Sequence, residues 1–163
     1  MSTIAEIVVI GIVATLVGDV CQAALHRLAG LPASRWGLVG RWVGWMPRGV
    51  FRHRPITATP ALRGEAAIGW AFHYAIGIAY AALYVALLRL LPASTPMVIP
   101  ALALAIALLI APWFVMQPAL GFGIMASKTP NPAAARANSL LNHSVFGLGL
   151  YAGALVWFAG FAG

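Results

Sequence analysis

The chain has 163 residues, of which 62% are hydrophobic and only 8% charged. A soluble domain carries roughly 25% charged residues to keep its surface wet, so the composition excludes a soluble globule and points to solvation by lipid. Ten Lys and Arg stand against Glu6, Asp19 and Glu65, a net charge of +7; the bases flank apolar runs instead of forming a soluble basic face, which reads as topology signals and anionic-lipid contacts and argues against nucleic acid as a partner.

The first apolar run spans about 4–28. It lacks a basic leader, carries Glu6 near its start and is too long for a signal peptide, so it is expected to be retained as a transmembrane helix. Cys21, the sole cysteine, lies inside it; one thiol excludes an intrachain disulfide and a thiolate metal cluster, and its small apolar side chain suits packing.

The long connection 31–62 follows, with five arginines, no acid and three of the six tryptophans. Indole rings and guanidinium groups both find partners in the headgroup layer. Trp36, Arg41, Trp42, Trp45 and Arg48 are therefore expected at the lipid interface, on a short helix capped by Ser34 and stopped by Pro47 after Met46. The second span covers about 66–91 and ends at Pro92. The short link from Pro92 to Pro96 makes it an antiparallel neighbour of the third, about 97–120, where Pro112 and Pro118 should kink or unwind the helix. Ser127 to Pro132 reads as a tight turn into the fourth span, about 140–161, entered through a helical lead-in at Ala133.

Nothing alternates with period two, and an open sheet edge cannot face lipid. The expected fold is all-α: a single membrane domain over 1–163, a four-helix transmembrane bundle with a long cytoplasmic interfacial loop. With four spans, 31–62 and 127–135 lie on one side. Together with the flanking Arg27, Arg63 and Arg136 they hold nine of the ten bases, leaving Arg89 toward the other. The positive-inside rule then places both connections in the cytoplasm and both termini outside.

With that topology, each span brings a polar side chain to a similar depth. At 1.5 Å per residue, Asp19 and His73 lie roughly 12 Å from the cytoplasmic edge, and Gln117 and His143 roughly 15 Å. Asp19, Gln22 and His26 share one face of their helix, as do Ser139, Asn142, His143 and Gly147 of theirs. Such groups should face inward, since an ionisable group at mid-bilayer costs on the order of 3 kcal/mol. The spacing Gly69-x3-His73-x3-Gly77 also matches Ser139-x3-His143-x3-Gly147, a weak repeat relating two helical hairpins.

Three readings of this layer stand open. The polar groups satisfy one another, the small residues being helix-packing notches. Alternatively, His73 and His143 ligate a metal ion or haem with Asp19 completing the shell, while Gln22, Gln117 and Asn142 orient the contents. Or Asp19 and the histidines serve a small proton-coupled transporter or channel, which with four helices requires an oligomer. A further alternative makes the protein an accessory or assembly subunit of a larger membrane complex, working through its Arg- and Trp-rich loop. Tyr80 and Tyr84 would line the deeper part of the layer or simply pack, and Glu65, beside Arg63, suits a salt bridge at a helix N-terminus. No catalytic motif accompanies any of these, and the sequence leaves enzymatic activity undecided.

The strings Arg63-Gly64-Glu65, Gly69-Trp70-Ala71-Phe72-His73-Tyr74, Gln117-Pro118 with Gly121 and Gly123, and His143-Ser144-Val145-Phe146-Gly147 resemble a family of small bacterial membrane proteins catalogued as a domain of unknown function. The resemblance covers nearly the whole chain. It implies a four-span protein of the bacterial inner membrane with marked positions at Glu65, His73, Gln117 and His143, and it implies no activity, substrate or cofactor.

Overall fold

The computed structural model describes residues 2–91 and 96–161, and among these all regular structure is helical. Most of the expected Pro92–Pro96 link lies outside the described residues. Four helical stretches are long and apolar enough to cross a membrane: Thr3–Ala29, Glu65–Leu90, Val98–Ala119 and Pro132–Gly160. Large apolar side chains stand exposed on each, among them Val20, Leu83, Ile110 and Val156. In water such faces would mark an interface, and in hydrocarbon they cost nothing.

Helix α1 (Thr3–Ala29) starts where the Ser2 hydroxyl accepts the Ala5 N–H and stops at Gly30, whose left-handed φ of 64° lets its N–H reach back to the Leu25 carbonyl. Helix α2 (Trp36–Trp45) follows a non-helical Arg35 that makes no side-chain cap, so the expected Ser34 cap is corrected by one residue. Pro47 tightens the next turn, Met46–Arg48, into a 3-10 helix. Helix α3 (Glu65–Leu90) opens with a reciprocal clasp. The Glu65 carboxylate accepts the Leu62 N–H at 3.0 Å, and the Glu65 N–H donates to the Leu62 carbonyl at 3.2 Å.

The third span is not one regular helix. Helix α4 (Val98–Ala107) gives way to a π-helical segment, Ala111–Met116, and then to the single turn α5 (Gln117–Ala119). Pro112 has no N–H to continue the α-ladder, and the ladder resumes one residue wider, with the Gln117 N–H on the Pro112 carbonyl. The route to α6 (Pro132–Phe161) is longer than the expected tight turn. It runs through Gly121 and Gly123 and a 3-10 turn at Ile124–Ala126 before Asn131 caps α6, its side-chain oxygen accepting the Ala134 N–H at 3.0 Å.

The chain forms two compact units, each assembled from segments distant in sequence. Unit 1 comprises Met1–Ala33, Tyr74–Ala107 and Leu140–Gly163. Its core is Ile10, Ala14, Ala81, Tyr84, Val85, Leu150 and their neighbours, and its helices touch through small residues. A Cβ at Gly149 would lie 2.8 Å from the Ala14 backbone, and one at Gly153 3.0 Å from that of Ile10. This is the small-xxx-small packing that lets membrane helices approach backbone to backbone. Gly147 meets α4 at Ala101 and Leu102 in the same manner.

Unit 2 comprises Ser34–His73 and Leu108–Ser139. It therefore holds the long first connection and the third, the two that four spans would put on one side. The first connection packs directly on the end of the third span: the His53 N–H donates to the Ala119 carbonyl at 2.8 Å and the Ile56 N–H to the Leu120 carbonyl at 2.9 Å. Gly121, at φ 87°, lets His53 approach, since a Cβ there would stand 2.7 Å from the His53 carbonyl oxygen. The core beneath is Val39, Trp42, Ile56, Ala119 and Leu120.

Candidate functional site

The centre of unit 2 is Arg41. Helix α2 places Gly37, Gly40 and Gly44 on one face, and that face meets the start of α3, with Gly40 against the Glu65 backbone and Gly44 against Leu62. Arg41 is thereby delivered to Glu65. Its Nε donates to Oε2 and its Nη2 to Oε1, both at 2.8 Å, a two-point fork suited to the planar guanidinium. Its Nη1 donates to the Thr59 and Ile56 carbonyls at 2.9 and 3.3 Å. The bond from Glu65 holds the Arg41 guanidinium above its ordinary range. One side chain thus ties α2, the loop and the first turn of α3 together, and the partner of Glu65 is Arg41, not its neighbour Arg63.

The tryptophans expected in the headgroup layer also make contacts within this unit. Trp42 is 8% exposed and donates its indole N–H to the Phe51 carbonyl at 2.9 Å; Trp45 donates to the Pro60 carbonyl at 3.1 Å. The reason is the loop between them: it has almost no regular structure, so its carbonyls must find donors elsewhere. Trp36 stacks on the His73 ring, centroids 3.8 Å apart and planes at 23°, with Trp70 edge-on to His73 at 5.6 Å. Arg41 is likewise turned inward, its side chain 13% exposed. Of the five residues expected at the lipid surface, Arg48 is exposed, its guanidinium 5.1 Å over the Trp45 ring, and the other four are buried or half-buried within the chain.

His53 is the buried histidine that the sequence did not single out. It is 5% exposed, its Nδ1 lies 2.8 Å from the Thr59 hydroxyl, and burial together with the nearby Arg41 charge lowers its pKa below the ordinary histidine value. Its Nε2 is buried without a hydrogen-bond partner. The same holds for the indole nitrogens of Trp36 and Trp113 and for Oε1 of Gln117. All four lie in unit 2. Arg136, at the start of α6, is engaged through Nε to the Met125 carbonyl at 2.9 Å.

The other expected site residues are distributed as follows. Asp19, Gln22, Asn142 and His143 belong to unit 1, all half-buried, and His73 and Gln117 to unit 2. Asp19 accepts a hydrogen bond from the Tyr74 hydroxyl at 3.1 Å. Tyr84 is fully buried and donates to the Met97 carbonyl at 2.9 Å, while Tyr80 lies edge-on to Phe146, so both pack. Among the described residues no three His, Cys, Asp or Glu side chains gather so as to hold a metal ion. The set His73, His143 and Asp19 is not such a group; the Asp19 carboxylate holds a tyrosine hydroxyl and the His73 ring lies on an indole. The sequence signal for the Arg41 cluster was the spacing Gly37-x2-Gly40-x3-Gly44, a stripe of small residues marking where α2 meets another backbone.

Helices alone among the described residues, four of them long and apolar enough to span a bilayer, define the class, a polytopic helical membrane protein. Within that class the chain belongs to the family described as Protein of unknown function (DUF2938), which matches residues 8–157. No curated protein and no solved structure matches it.

Proposed function

We propose that this is an integral membrane protein that holds anionic phospholipid headgroups on the basic surface of unit 2, with that unit on the cytoplasmic side. The observation that supports this is the partition of charge. Unit 2 carries eight of the ten Lys and Arg and a single acid, Glu65, which is the whole net charge of +7; in unit 1, Arg27 and Arg89 balance Glu6 and Asp19. Six of the eight bases are exposed, namely Arg35, Arg48, Arg52, Arg54, Arg63 and Lys128. The one acid is already matched by Arg41, so the exposed cations are left for something outside the unit. The leaflet beside such a surface offers phosphates, and each Lys or Arg near an anionic membrane is worth about 1 kcal/mol.

The test is thermal unfolding of the purified protein in nanodiscs of phosphatidylcholine alone or with added phosphatidylglycerol and cardiolipin. Anionic lipid should raise the midpoint, the gain should shrink as salt rises, and the triple variant Arg52→Gln, Arg54→Gln, Arg63→Gln should lose most of it. Equal midpoints in neutral and anionic discs would reject the reading.

A further inference from the structure

The loop that follows α2 divides its side chains between inside and outside. His53 and Ile56 are buried, whereas Phe51, Arg52 and Arg54 stand exposed, Phe51 at 58%. The backbone is held on both sides of these outward residues. The Phe51 carbonyl accepts the Trp42 indole N–H at 2.9 Å, the His53 N–H donates to the Ala119 carbonyl at 2.8 Å, and the Ile56 N–H donates to the Leu120 carbonyl at 2.9 Å. With the chain pinned at these points and His53 filling the interior, the Phe51 ring is left outside.

Two observations say what covers that ring. Ala119 is the last residue of the third stretch that is long and apolar enough to cross the bilayer. Phe51 lies two residues from His53, whose N–H is on the Ala119 carbonyl, and two residues of extended chain reach about 7 Å. Phe51 is thus held near the level at which that span leaves hydrocarbon. The second observation is its neighbours. Arg48, Arg52 and Arg54 are all exposed, and an aromatic ring among guanidinium groups suits the boundary between acyl chains and phosphates. An apolar pocket of another protein would strip water from those charges and return no countercharge; an anionic leaflet supplies it. We propose that Phe51 is the apolar anchor of the lipid-binding surface of unit 2, its ring entering the acyl-chain boundary and setting the depth at which Arg52 and Arg54 meet the phosphates of anionic lipids. This rests on the headgroup reading above and adds the residue that fixes that surface to hydrocarbon. Trp42, an aromatic expected in that layer, is buried and holds the Phe51 carbonyl instead.

Nitroxide labelling of Phe51→Cys in a Cys21→Ala background tests it, with the full-length protein in nanodiscs of phosphatidylcholine with and without phosphatidylglycerol. Collisions of the label with oxygen, which concentrates in hydrocarbon, should exceed those with a water-soluble nickel chelate in both discs. The same should hold at Val156→Cys, an exposed position of α6, whereas at Lys128→Cys the chelate should dominate. In the unlabelled protein, Phe51→Ser keeps every charge yet should lose most of the rise in unfolding midpoint that phosphatidylglycerol brings, and Phe51→Trp should keep that rise. Nickel collisions at position 51 as frequent as at position 128 would overturn the proposal. So would a Phe51→Ser protein that retains the full rise. Equal wild-type midpoints in the two discs, with position 51 shielded in both, would reject the headgroup reading while upholding the anchor.

Discussion

Arg41 and Arg48 sit seven residues apart on one basic loop, and composition treats them alike. The structure does not. Arg41 makes four hydrogen bonds to Glu65 and to two loop carbonyls, whereas Arg48 caps its own turn through the Gly44 carbonyl and lies over Trp45. Hydrogen bonds to charged groups contribute roughly 1.5–3 kcal/mol each when their partners are shielded. Arg41→Ala should therefore destabilise unit 2 by about 2 kcal/mol or more, leaving the Glu65 carboxylate without its fork, while Arg48→Ala should cost well under about 1 kcal/mol, as for an exposed pair. Proteolysis of the 49–62 loop in detergent reads the difference, and equal cleavage rates in the two variants would contradict it. His53 supplies the pH dependence. Burial and the Arg41 charge lower its pKa in the folded chain, so near the ordinary value of about 6.5 the unfolded chain binds the proton first. The contribution of His53 is thus complete above pH about 6.5 and is lost as pH falls from there toward the folded pKa. The unfolding midpoint should drop between pH 7.5 and 5, and His53→Gln should flatten that drop. An unchanged slope in the variant would count against the assignment.

At the scale of elements, the helices of unit 1 are fixed by what is missing from their side chains. Gly149 and Gly153 on α6 sit where any Cβ would press on the α1 backbone at Ala14 and Ile10. Gly153→Leu should force the pair apart and cost roughly 1–3 kcal/mol, as overpacking does elsewhere. Gly160→Leu, where a Cβ meets nothing within 4 Å, should be silent. A thermal scan of both variants checks this, and equal midpoints would mean that the helices do not approach so closely. The expected spans and those observed differ by one or two residues at most ends. The reason is that span length is set by bilayer thickness and the ends by caps readable in the sequence: Ser2, Gly30, Asn131 and Pro132. The third span shows the limit. Pro112 forewarned of a break, but whether it becomes a kink, a π turn or an unwound end depends on which carbonyls the next N–H groups can reach.

For the molecule as a whole, the lopsided charge is the property that reaches furthest. If the positive-inside rule governs insertion, unit 2 faces the cytoplasm. Cysteines introduced at Arg54 or Lys128, in a Cys21→Ala background, should react with a membrane-impermeant maleimide in inverted vesicles and not in intact cells. Labelling in intact cells would reverse the orientation. The amino-acid sequence alone determined that the chain is helical, lipid-solvated and four times long enough to span a bilayer, because apolar length and charge density act residue by residue and need no partner to be read. It marked Gln117 among the residues to watch. Which groups meet was left to the tertiary structure. Arg41 finds Glu65 across 24 positions, His53 is buried against Ala119, and the polar residues expected at one depth are divided between two units. Depth along a helix follows from counting residues. Direction around it, and the loop that folds over its end, follow from packing between segments far apart in the chain.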